Sequence, residues 1–369
     1  MNQVEKALMH GLFVHLHHNI EKAIDFGEFK KLNDKVDNTW PGALLVGPDA
    51  NDDAAVIQIP GTECYVAAKM ESHCSPCVPR PYDGSATGAG GAMRDVVAMG
   101  ARPLFLLDFI GTRPLEDKVV VGPCGFDHED CICGNCQVMT SQDRLNLMLK
   151  GVRDMCDSMD VFVAGGGFST SFSDIVPAVV ISVVGKQITD KPLTKPAKSP
   201  GDKIIMVGRT STDGNDTLYR AGLVSVMRPA EALFQEERVT MEASLAAFRT
   251  GKIKACSDLG AAGIGAGVCE SARFGGLGAR VDLTQVPVKG EGISPEEILI
   301  CETQARMLFQ VAPEDAREVL EALRTQTEAA AIIGEITDED KTLFEYKGQK
   351  VAEVPNRPSA ETLKYLSNL

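Results

Sequence analysis

The sequence has no apolar stretch approaching the length of a membrane span, which argues against a bilayer-embedded chain. It is short of positive charge: 37 Lys and Arg stand against 51 Asp and Glu, for a net charge of −14. A surface of that sign repels phosphate backbones and anionic headgroups, so general nucleic-acid or membrane-surface binding is not expected. A small anionic substrate stays open, provided glycine amides, a few cations and Mg²⁺ build a local site. The opening MNQVEKALMHGLFVHLHHNIEKAI carries acids and histidines where a secretory signal needs a basic start and an unbroken apolar run, which predicts a cytoplasmic protein. No short-period repeat points to a solenoid.

What is present fits a two-domain enzyme. A chain of 369 residues is long for one domain, and with 44% hydrophobic and 24% charged residues each half can bury a core without staples. Eleven cysteines, an odd number, point to thiols and a metal site more than to a disulfide framework. Residues 1–40 read as an amphipathic helical extension ending near the only tryptophan, Trp40. Residues 41–190 then form an N-terminal domain with a Cys-rich insert at 122–138, and the Pro- and Lys-rich run 189–203 is the expected boundary. A C-terminal domain covers 200–350 and a tail 351–369. Strands alternate with helices in both halves, which predicts an α/β or α+β protein.

The run KMESHCSPCVPRPYDGSATGAGGAMRDVVAMGARP concentrates the chemistry. Its glycines, Gly88, Gly90 and Gly91 among them, read as a phosphate cradle in a loop that opens a helix, because glycine lets a ligand approach the backbone and a helix start offers free N–H groups. Arg94 offers a cationic fork for an anion and Asp95 a hard oxygen ligand for Mg²⁺, with Glu71 at a strand end as a second. Upstream, Asp52 and Asp53 read either as a turn and cap or, with Glu71 and Asp95, as an acidic set holding Mg²⁺ on a nucleotide triphosphate. Asp258 lies beside glycines at a later helix start, where a carboxylate weakens anion binding unless a cation intervenes. His73, among these groups, is a candidate proton-transfer residue, since imidazole titrates near neutral pH.

A separate cluster, Cys124, Cys131, Cys133 and Cys136, has spacing compatible with tetrahedral Zn²⁺ or an iron–sulfur cluster, and equally with a redox disulfide or a plain loop.

Taken in order, the run from Lys69 through PLFLLD, the stretch VAGGGFSTSF, and ACSDLGAAGIGAGVCESARFGGLGARVDLTQVPVKGEGISPEEILICETQARMLF resemble the signatures of the phosphoribosylformylglycinamidine synthase family. That family lies within the aminoimidazole ribonucleotide synthase superfamily, with thiamine monophosphate kinase, selenophosphate synthetase and a hydrogenase maturation protein. The resemblance implies an N-terminal α/β domain whose sheet pairs across a homodimer into a central β-barrel, and a C-terminal α/β domain beside it. It also implies an ATP-dependent ligase of purine biosynthesis: ATP phosphorylates an amide oxygen, and a nitrogen nucleophile attacks the iminophosphate. By motif position, Lys69 would contact ATP, Glu71, Asp95 and Asp258 would bind Mg²⁺, and His73 would transfer the proton. Ser72, Cys74, Ser75, Arg94, Glu302, Thr303 and Gln304 would line the substrate site. The purine enzyme carries two such units per chain and this sequence one, so a homodimer is expected, with a glutaminase or other accessory subunit as a further partner. The alternative is a metal- or sulfur-handling accessory or maturation protein on the same fold.

Overall fold

The computed structural model describes residues 2–9, 11–12, 44–47, 50, 52–122 and 135–357. A helix α1 (3–9) precedes two α/β halves. The first runs β1 (Leu44–Val46), β2 (Ala55–Gln58), β3 (Tyr65–Ser72), α2 (Pro81–Ala98), β4 (Ala101–Gly111), β5 (Lys118–Val121), β6 (Gln137–Thr140), α3 (Ser141–Met159), β7 (Phe162–Ser169) and β8 (Ala178–Gln187). The second runs β9 (Lys203–Val207), α4 (Asp216–Arg220), α5 (Phe234–Phe248), β10 (Ile253–Asp258), α6 (Gly263–Phe274), β11 (Gly278–Asp282), α7 (Pro295–Ile300) and β12 (Met307–Val311). It closes with α8 (Ala316–Arg324), β13 (Ala330–Thr337), β14 (Lys341–Tyr346) and β15 (Gln349–Pro355).

The first sheet has the order β1-β2-β3-β8-β4-β7. It is antiparallel except where β7 joins β4 in parallel. Strand alternation gives it two unlike faces. Ala67, Leu106, Ile110, Val179, Ile181 and Val183 point under α2 and α3 into a closed core. On the opposite face Met70, Leu107, Phe109 and Phe162 are exposed, Met70 at 71%. Among the described residues the sheet does not close into a barrel.

The second sheet has the order β10-β12-β9-β13-β11-β14-β15. Here β15 corrects one expectation: the stretch from Val351 to Pro355, read as a tail, is the edge strand of this sheet. Of the N-terminal extension, α1 buries Val4, Ala7 and Leu8 in the second half's core, and Glu5 accepts a hydrogen bond from the Glu353 N–H at 3.2 Å. Residues 13–40 of the extension, Trp40 among them, lie outside the described residues, as do Cys124, Cys131 and Cys133. No helix among the described residues is long and apolar enough to cross a membrane.

The helix ends follow local chemistry. Thr140 and Asp143 form a capping box that starts α3, and Ser294 and Glu297 form another that starts α7 with Pro295 in its first turn. The glycine-rich run behaves differently from its reading as a loop. Helix α2 begins at Pro81, so Gly88, Gly90 and Gly91 lie inside it and their N–H groups belong to helical hydrogen bonds. Close packing explains the glycines. A Cβ at Gly84 would stand 2.6 Å from the Pro76 carbonyl carbon, one at Gly88 2.7 Å from His73 Cβ, and one at Gly90 3.0 Å from Glu237 Oε1.

Candidate active site

The site lies where α2 and β3 of the first half meet β10, α5 and the 301–306 loop of the second. Lys69 and Glu71 are two apart on β3, opposite the buried Val183 and Ile181 in register, and so face α2. Arg94 and Asp95, adjacent on α2, diverge: Asp95 turns to Lys69, whose ammonium is 2.8 Å from its Oδ2, while Arg94 turns to the second half.

Oxygens of Asp53, Asp95 and Asp258 lie within 4.8 Å of one another. Burial, opposed by Lys69 and reinforced by Asp258 and Glu71, holds Asp95 well above the ordinary carboxylate range. Burial, opposed by Arg94 and reinforced by Asp53, also raises the Asp258 carboxyl. For Lys69 burial works against the charge, but Asp95 and Glu71 overcome it and raise the ammonium above the usual lysine range. Glu71 borders the triad: burial opposes its ionisation, yet Lys69, His73, a hydrogen bond with Asp95 and the Arg94 charge outweigh it, so its carboxyl is held low. Asp53 Oδ2 is buried and has no hydrogen-bond partner, an uncommon state for a carboxylate oxygen. Three converging hard oxygens with one orphaned fit a divalent cation such as Mg²⁺.

Arg94 bridges the halves. Its Nη1 pairs with Glu237 Oε1, its Nη2 donates to Gln304 Oε1 at 2.9 Å, and its Nε is 3.4 Å from Asp258 Oδ2. Glu237 is buried on α5 and was not singled out from the sequence. The nearest signal, its pairing with an arginine 143 residues away, is invisible to local reading.

His73 follows β3 directly. Its N–H donates to Val179 O at 2.8 Å, and its Nδ1 lies 2.6 Å from Gly84 O. Cys77 Sγ donates to the His73 carbonyl at 3.2 Å, and Cys74 Sγ accepts from Val179 N at 3.3 Å, so both thiols brace the turn. Burial pushes the Cys77 thiol strongly upward.

The remaining candidates divide. Glu302 accepts from Ala262 N–H at 3.0 Å at the start of α6, and from the Thr217 hydroxyl at 3.2 Å. Thr303 is buried and binds Asp213 and Ser211, which shapes the loop. Buried Arg306 ties that loop further, donating to Thr303 O, Cys301 O and Thr210 Oγ1. Ser72, Asp52 and Ser75, the last in the 75–77 turn, are not brought to the acidic triad. Ser72 faces the open side of the sheet with Met70, because strand alternation turns it away from Glu71. Asp52 accepts the Lys195 N–H on both oxygens at 3.2 Å; its carboxyl is pushed up to about 7 by burial and by Asp53. Cys136 is the one member of its cluster among the described residues, beside Gly122.

Two α/β halves meet at an inter-domain cluster of carboxylates, lysine and arginine whose acidic members could hold a metal ion. Residues 51–187 match the N-terminal domain of AIR synthase related proteins and residues 199–347 the C-terminal domain. Together these take in more than half of the chain, which belongs to the AIR synthase related protein family. It is 34% identical over 334 residues to phosphoribosylformylglycinamidine synthase subunit PurL of Methanosarcina mazei, covering 85% of this chain and 42% of that protein. Solved structures of T. maritima PurL complexed with ATP and with FGAR superpose with TM-scores of 0.66 and 0.67 at 28% identity. Each covers 84% of this chain, and 46% and 48% of theirs. The chain thus spans less than half the length of these relatives. A HypE–HypF complex shares the fold alone, at 18% identity and TM-score 0.62.

Proposed function

We propose that the chain is an ATP-dependent, C–N bond-forming ligase of the phosphoribosylformylglycinamidine synthase type. The observation that carries this reading is the convergence of Asp53 and Asp95 from one half with Asp258 from the other, beside Lys69, with His73 near the bordering Glu71. An amide oxygen is a poor leaving group and phosphate a good one. Transfer of the γ-phosphoryl group breaks its bond to ADP and forms a bond to the amide oxygen; a nitrogen nucleophile then adds to the carbon and phosphate departs.

In this reading Asp53, Asp95 and Asp258 hold Mg²⁺, with Glu71 beside them, and the ion would neutralise charge on the phosphoryl oxygens. Lys69 contacts ATP. Gly91, whose added Cβ would have only ordinary contacts with Arg94 and Glu71, leaves room beside these groups. His73 presents Nε2 for proton transfer, because its Nδ1 is engaged by a carbonyl that can only accept. Arg94 and Gln304 form one wall of the substrate site, with Glu302 two residues before Gln304 and Cys74 next to His73. The ATP and FGAR complexes of the T. maritima relative support both ligands. A second copy covering the exposed apolar face of the first sheet, with Met70, Leu107, Phe109 and Phe162, completes the proposal, in a cytoplasmic setting with a glutaminase partner supplying nitrogen.

The test is nucleotide turnover against a panel of formylated and carboxamide ribonucleotides with ammonia and Mg²⁺. Substrate-stimulated ADP release, lost in His73→Ala and Asp95→Asn, is expected. Turnover that ignores every amide substrate and survives both substitutions would overturn it and favour an accessory protein that uses the fold for binding.

A further inference from the structure

The Pro- and Lys-rich run 189–203 is the expected boundary, yet the largely covered Lys195 in it lies at the acidic triad. Its Nζ lies 2.7 Å from Asp53 Oδ1 and 3.5 Å from Glu270 Oε2 on α6. Its backbone N–H is bound by both oxygens of Asp52, and its carbonyl accepts from Ser271 Oγ, the residue after Glu270. One residue therefore joins the Asp52-Asp53 turn of the first half to helix α6 of the second.

The two oxygens of Asp53 are treated differently. Oδ1 is taken by Lys195, whereas Oδ2 is buried without a partner. With one oxygen anchored, the carboxylate is held in a single orientation and Oδ2 is the oxygen left for the shared position with Asp95 and Asp258. We infer that Lys195 is a positioning residue that orients Asp53 for divalent-cation binding, so that the inter-domain segment is part of the site. This rests on the metal reading of the triad given above.

Simple electrostatics makes the opposite forecast: removing a buried cation from beside three carboxylates should tighten binding of another cation. Groups that orient a metal-binding carboxylate typically contribute 10–100-fold in affinity. The sign of the effect therefore separates the two. The experiment is Mn²⁺ binding to the full chain, followed by electron paramagnetic resonance, for wild type and Lys195→Ala, with thermal melting as the folding control. Weakening on the order of 10–100-fold is expected, with propylammonium restoring affinity in the alanine variant by refilling the ammonium position. Should alanine unfold the chain, Lys195→Gln, similar in length and neutral, is expected to show the same loss without rescue. Unchanged or tighter Mn²⁺ binding in a folded variant overturns the role of Lys195 while leaving the metal reading intact. A wild-type chain that binds no Mn²⁺ overturns both.

Discussion

His73 Nδ1 lies 2.6 Å from the carbonyl oxygen of Gly84, on the first turn of α2. A carbonyl offers no proton, so Nδ1 carries the hydrogen and Nε2 keeps its lone pair. His73→Ala should lower turnover by about 10²–10⁴-fold, the range for a positioned acid or base, and leave Mn²⁺ affinity unchanged. Equal losses in both measurements would point to a structural histidine.

Gly88 and Gly91 make a paired test of the helix. Ala at 88 would place Cβ 2.7 Å from His73 Cβ, whereas Ala at 91 meets nothing nearer than 3.7 Å. Gly88→Ala should destabilise by about 1–3 kcal/mol, the cost of overpacking. Gly91→Ala should stabilise by roughly 0.5–1 kcal/mol through helix propensity. Urea denaturation of both variants measures the contrast, and a loop at these positions would erase it.

The Arg94–Glu237 pair is buried, its side chains 4% and 0% exposed. Removing Glu237 leaves the guanidinium with Gln304 and the longer contact to Asp258. Breaking such a pair costs about 3–5 kcal/mol, so Glu237→Ala should shift the urea midpoint substantially. Adding Arg94→Met to that variant should recover part of the loss, because the unpaired charge goes with it; no recovery would argue against the pair as the cause.

Burial raises Asp52, Asp95 and Asp258 above their unfolded values, Asp52 to about 7. The folded state therefore holds these protons longer than the unfolded chain; the contribution of Asp52 to stability falls as pH rises from about 4 to about 7, and those of Asp95 and Asp258 fall as pH rises past the unfolded carboxyl range. A divalent cation requires the ionised carboxylates. The melting-temperature gain from Mg²⁺ should accordingly be larger at about pH 8 than at about pH 6. An equal gain at both would mean that Mg²⁺ binds elsewhere.

On the open face of the first sheet, Met70 is 71% exposed with Leu107, Phe109 and Phe162 on the same side. A second copy covering this face should be lost in Met70→Glu, with a fall from dimer to monomer in sedimentation while α2 and its buried contacts remain. A monomeric wild type would remove the dimer from the proposal.

Much of this was legible locally. Period-two alternation around Lys69 and Glu71 marks a strand with one chemical face, and Arg94-Asp95 follows as adjacent residues on one helix, so the candidate residues on β3 and α2 could be named from short windows. The same alternation, applied to Ser72, would have turned it away. Composition around the glycines of α2 favours a turn, whereas their role is to admit His73 and Glu237 against the helix, and those neighbours are set by packing.

The sequence by itself therefore determined the two-domain alternation, the acidic balance and the ordered motifs, since these depend on residue type and short-range period. Only the tertiary structure decided that Lys195, in a stretch resembling a linker, anchors Asp53, and that Glu237 answers Arg94. Partners this far apart in the chain, 143 residues for Arg94 and Glu237, leave no local trace, and buried charges acquire their partners only when the two halves close on one another.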